Sequence, residues 1–109
     1  MLRLVVNGVS VLDYQPEARL PGHVRDFLAR MDADMDEGIS LAGQVVERPD
    51  DMQRVYFVAI QLFKSFTRGN ERLRAASCAW LCRRMPELRA VKIDNSGEEI
   101  SLELITDKQ

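Results

Sequence analysis

Apolar residues alternate with others at the start of the chain, with Leu2, Leu4 and Val6 before Asn7-Gly8 and Val9 and Val11 after it. An Asn-Gly pair accepts the positive φ that both central positions of a type I′ turn require, so this pattern predicts a hairpin in which Val6 faces Val9. In that register Leu2, Leu4, Val6, Val9 and Val11 share the core face, and Arg3, Val5, Ser10 and Leu12 take the other.

After the connector QPEARLPGH the period changes. Val24, Phe27, Leu28, Met31, Met35, Ile39, Ala42, Val45 and Val46 recur every three or four residues, which predicts a first helix from Pro21 to Glu47, stopped by Arg48-Pro49. Gly38 falls on its buried side, where glycine costs about 1 kcal/mol relative to alanine. A close crossing of another element would explain it; the alternative is a kink or break at Gly38 that splits the helix in two.

Asp50 with Gln53 forms a capping-box pattern, and Gly69 follows Arg68, so a second helix runs between them. Its apolar side (Met52, Val55, Tyr56, Val58, Ala59, Ile60, Leu62, Phe63, Phe66) covers more than half the circumference, marking a central helix or one that also meets a partner. Asn70 caps a third helix that ends before Pro86, with Arg83 and Arg84 placed favourably for the helix dipole.

LRAVKID, NSGE and EISLELI then read as a second hairpin, with Val91, Ile93, Ile100, Leu102 and Leu104 on one side. Lys92, Asp94, Glu99, Ser101 and Glu103 take the other. The order ββαααββ predicts an α+β fold in which two β-hairpins form an antiparallel sheet packed against three helices.

At 109 residues the chain is expected to be one domain with one core. Its 46% hydrophobic and 29% charged residues sit near globular averages, which excludes a disordered class. No apolar run reaches the length of a membrane helix, and the N-terminal run, broken at Asn7-Gly8, does not read as a secretory signal. Two cysteines give no disulfide framework, so a cytoplasmic protein is expected.

A net charge of −2 and a pI near 5.4 argue against nucleic acid as the partner. The average conceals an asymmetry. From Asp26 to Asp51 eight acids stand against two bases (Arg30, Arg48), whereas from Lys64 to Lys92 eight bases stand against two acids (Glu71, Glu87).

The acidic stretch MDADMDEG suggests calcium, but a loop opened at Asp32 needs glycine at its sixth position and glutamate at its twelfth, and Glu37 and Gly43 stand there. On a helix Asp32 and Asp34 flank the apolar stripe from opposite sides. Asp32 and Asp36 repel at i,i+4, so with Glu37 they suit a basic partner.

Cys78 and Cys82 share a helix face, yet zinc wants four ligands and the single histidine, His23, lies far off. With Ala75 and Ala79 they read as a small-residue packing face, and neither metal nor cofactor is expected. No nucleophile with an orienting base is evident.

Arg68, Arg72, Arg74, Arg83 and Arg84 make the third helix and its approach basic, suited to phosphate or carboxylate, without the interleaved aromatics that stack on bases. Phe57 projects among Gln53, Gln61 and Lys64, as an interface anchor would.

These features favour a non-enzymatic interaction or accessory module that binds another protein or itself through the acidic helix, the basic helix or Phe57. The alternative is a small anionic ligand or RNA held by the third helix. A third reading is an enzyme using His23 or the Asp32, Asp36 and Glu37 patch.

MDADMDEG, VVERPDDMQR, GNERL and RMPELRAVKIDNSGEE together resemble a group of small uncharacterised bacterial proteins, over the C-terminal two-thirds of the chain. The resemblance implies a bacterial, cytoplasmic origin and carries no activity or site.

Overall fold

The computed structural model describes residues 1–16, 22–41 and 43–107. The predicted helix start at Pro21, and Ala42 of its apolar stripe, lie outside the described residues. The elements run β1 (Leu2–Val6), β2 (Val9–Tyr14), α1 (Gly22–Asp36), β3 (Ile39–Leu41), β4 (Gln44–Val46), α2 (Asp51–Arg68), α3 (Glu71–Arg84), β5 (Leu88–Asp94) and β6 (Ser101–Thr106). The fold is α+β, in the expected ββαααββ order with one small hairpin added after α1.

Asn7 and Gly8 turn with φ of 52° and 83°, and Val6 faces Val9 as the turn chemistry requires. Beyond that the predicted face changes. The register shifts by one residue between Leu4 and Val5, so that Val5 faces Ser10 but Leu4 faces Leu12 and Leu2 faces Tyr14. A one-residue slip moves every later side chain to the opposite face. Leu12 and Tyr14 therefore join Leu2 and Leu4 against the core, while Val9, expected inside, is 62% exposed.

The sheet order is β2-β1-β5-β6, with both hairpins antiparallel. Their junction is not: β1 pairs with β5 in parallel, from Arg3 opposite Ala90 to Val6 opposite Ile93. The sheet is mixed rather than antiparallel throughout. The connection through α1, α2 and α3 is long enough for the crossover that parallel pairing needs. Asn7 ties the two hairpin ends together: its Nδ2 donates to Asn95 Oδ1 at 2.8 Å, and Asn95 N donates to Asn7 Oδ1 at 2.9 Å.

In the second hairpin Val91 faces Leu104 and Ile93 faces Leu102, as expected. Ile100 lies before β6 begins and is 58% exposed rather than on the core side.

The long first helix is shorter than the periodicity suggested. It ends at Asp36, and Gly38 at φ +121° takes a conformation that other residues rarely adopt. The chain breaks there, and Ile39–Leu41 and Gln44–Val46 pair as a two-stranded hairpin. A Cβ on Gly38 would lie 3.3 Å from the Val46 carbonyl oxygen, so the return strand comes close enough to need glycine.

α2 opens with the full capping box: Asp50 Oδ1 accepts from Gln53 N at 2.8 Å and Gln53 Oε1 accepts from Asp50 N at 2.9 Å. It closes at Gly69 in the left-handed region, and Asn70 Oδ1 then accepts from Leu73 N to start α3. Val58, Ala59 and Leu62 of α2 and Ala79, Trp80 and Leu81 of α3 share one core with Leu2, Leu4, Val91 and Ile93 of the sheet. Among the described residues no helix is long and apolar enough to cross a membrane.

Candidate functional site

Several charges expected to meet a partner meet each other. Asp32 on α1 accepts from Trp80 Nε1 at 2.9 Å through one oxygen and from Arg84 Nη2 at 2.7 Å through the other. The Arg84 guanidinium lies 5.5 Å from the Trp80 ring centroid, within cation–π range. Asp36 likewise accepts from Arg54 Nη2 at 2.7 Å. Asp32 and Asp36 thus bind α1 to α3 and to α2, while Glu37 stays exposed just past the end of α1.

The arginines are dispersed as well. Arg68 and Arg83 are exposed at the C-terminal ends of α2 and α3, and Arg84 is engaged by Asp32. Arg72 and Arg74, in the first turns of α3, face a cleft of about 690 Å³ between α1, α3 and β2. Phe57 lines a second, more apolar groove of about 300 Å³ with Met31, Met35, Ile39 and Leu73.

The walls of the larger cleft are apolar, built from Leu12 of β2, Val24 and Phe27 of α1, and Ala75 and Ala76 of α3. Around them, among the described residues, stand four basic side chains, His23 and Arg30 from α1 and Arg72 and Arg74 from α3, against the single acid Glu71. Glu71 and Arg74 approach to 3.7 Å across one helical turn, a loose exposed pair of small energetic weight. Arg30 and Arg72 make no ion pair among the described residues. Since the first turns of α3 border the cleft, the positive end of its dipole adds to this field.

Each basic residue is positioned by local sequence. The Asn70 cap starts α3 and so sets Arg72 and Arg74 in its first turns, with Ala75 and Cys78 following on the cleft side. On α1 the three- to four-residue spacing of His23, Phe27 and Arg30 brings all three to that side.

Cys78 also borders the cleft, but burial pushes its thiol up to about 12, with the neighbouring Cys82 adding to the effect and Arg74 opposing it. Cys82 is raised by burial too. Both are free, and a neutral thiol is a poor nucleophile and metal ligand. No group of three or more His, Cys, Asp or Glu side chains that could hold a metal occurs among the described residues.

Arg72 and Arg74 were legible as candidates; Arg30, Phe27 and Tyr14 were not. The one available signal was Arg30 itself, a base inside the acidic segment. No family model, curated protein or solved structure matches the chain, and its function rests on this geometry.

Proposed function

We propose that the chain is a non-enzymatic accessory module that holds a small anionic ligand in the cleft between α1, α3 and β2. The observation that carries this reading is the convergence of Arg30, Arg72, Arg74 and His23 on one cavity of about 690 Å³, with Glu71 the lone acid among its described lining residues. Ligand pockets run to roughly 300–1,000 Å³, with few polar groups on apolar walls. Arginine is always protonated and clamps carboxylates and phosphates, so these side chains suit holding an anion better than exchanging protons. The free thiols of Cys78 and Cys82 suit a reducing cytoplasm.

Thermal unfolding in the presence of small anions (sulfate, citrate and 1-anilinonaphthalene-8-sulfonate) tests it, because a ligand bound to the native state alone raises Tm. At least one anion should raise Tm in the wild type and fail to do so in Arg72→Glu. No shift in either protein, or equal shifts in both, overturns the reading.

Docking of another protein or a second copy is a second reading, favoured by half-buried Phe57 in its groove beside Met31 and Met35. It predicts a mass that rises with concentration in the wild type and stays monomeric in Phe57→Ala.

A further inference from the structure

We infer that the ligand of the cleft is an amphiphile: an anionic head on a hydrocarbon body, aliphatic or aromatic. This deepens the anion-binding reading and rests on it. The cleft is chemically two-sided. Its basic groups are the exposed side chains His23, Arg30 and Arg72, with Arg74 half-buried beside them. Its walls offer little to a polar body, since Leu12, Val24, Phe27 and Ala76 have no side-chain donor or acceptor, and among the described lining residues only the Tyr14 hydroxyl and the Cys78 thiol join them.

A nucleoside, a sugar or a peptide would bring many hydrogen-bonding groups against those walls, and each group left unpaired would weaken binding. A hydrocarbon body has none to lose. The sulfur nearest the walls does not alter this, because Cys78 stays a neutral thiol at physiological pH. An anionic head beside the arginines completes the match.

The space for the body comes from small side chains. Ala75 is exposed and stands on the cleft wall of α3, next to buried Ala76, so the helix surface there is recessed where a leucine would fill it. Phe27, half-buried, gives the opposite wall an aromatic face. Tyr14 borders the same space from β2.

Isothermal titration of the whole chain with alkanoates from butanoate to tetradecanoate, below their micellar concentrations, separates head from body. Each methylene removed from water should tighten binding about fourfold until the cleft is filled, after which affinity levels off. Dodecyl phosphate should bind within tenfold of dodecanoate, and dodecylammonium at least tenfold more weakly. Arg72→Glu should weaken dodecanoate by tenfold or more; Ala75→Trp, at an exposed helix position, should abolish the gain with chain length.

Anion binding that is flat across chain length overturns the amphiphile and leaves the anion site standing. Equal binding of dodecylammonium and dodecanoate overturns it as unspecific partition. No binding by any member, together with no anion-induced rise in Tm, overturns both.

Discussion

Asp32 holds Trp80 through a 2.9 Å hydrogen bond from the indole Nε1, and its second oxygen holds Arg84 at 2.7 Å. This carboxylate joins the two helices that wall the cleft, α1 with Arg30 and Phe27 and α3 with Arg72 and Arg74.

The indole bond should carry more of the coupling than the ion pair. Arg84's side chain is 48% exposed, so its pair with Asp32 is worth about 0–1 kcal/mol. A hydrogen bond from a largely buried indole to a charged acceptor is worth about 1.5–3 kcal/mol. In urea unfolding, Asp32→Ala should therefore destabilise clearly more than Arg84→Ala, and a double-mutant cycle with Trp80→Phe should show coupling. Equal losses for Asp32→Ala and Arg84→Ala would assign the contact to charge alone.

Gly38→Ala should cost about 1–3 kcal/mol, since it places a side chain at φ +121° with a Cβ 3.3 Å from the Val46 carbonyl oxygen. Gly43→Ala, at φ +77° in open space, should cost about 1 kcal/mol. Equilibrium unfolding of the pair would show the ordering, and a harmless Gly38→Ala would contradict the break that ends α1.

Two buried serines should respond in opposite directions. Ser65 Oγ donates to the Leu62 carbonyl oxygen at 2.7 Å, whereas Ser77 Oγ is buried with no hydrogen-bond partner among the described residues. Ser65→Ala should cost about 1 kcal/mol and Ser77→Ala should be neutral or stabilise by up to about 1 kcal/mol. Chemical denaturation reports both, and a Ser77→Ala loss as large as that of Ser65→Ala would show that its hydroxyl has a partner.

Cys78 gives a pH dependence of known sign. Its folded value of about 12 lies above the ordinary thiol value of 9.0, so its contribution is fully present below pH 9 and is lost as pH rises towards 12. Between those limits the wild type should lose stability more steeply than Cys78→Ala. At pH 8 burial holds Cys78 far more fully protonated than an unfolded thiol, and its reaction with iodoacetamide should be much slower than that of the unfolded chain. Alkylation at the unfolded rate would contradict its burial.

Much of the fold was legible because local chemistry decided it. Asn7-Gly8 fixed one turn, the Asp50 and Gln53 capping box opened α2, and Gly69-Asn70 ended α2 and began α3. The break at Gly38 was readable only as an alternative. Ile39, Val45 and Val46 fit a helical period as well as a short hairpin, and a three-residue strand is too brief to declare its own period. The bulge beside Val5 and the parallel pairing of β1 with β5 depend on partners distant in sequence.

The candidate site was legible by half. A basic α3 is visible in composition, but which arginines are free depends on contacts across the fold: Asp32 engages Arg84, and Arg30 comes from the acidic helix to join Arg72 and Arg74. Charge runs show sign along the chain, whereas a cleft is a property of three elements brought together.

The most direct test of the cleft as the working site is an amide chemical-shift titration of isotope-labelled protein with dodecanoate. Saturable shifts should concentrate on Arg30, Arg72, Ala75 and Ala76, with those around Phe57 and the β3–β4 hairpin nearly unmoved. Shifts centred on the Phe57 groove, or spread evenly over the surface, would contradict the assignment of function to the cleft.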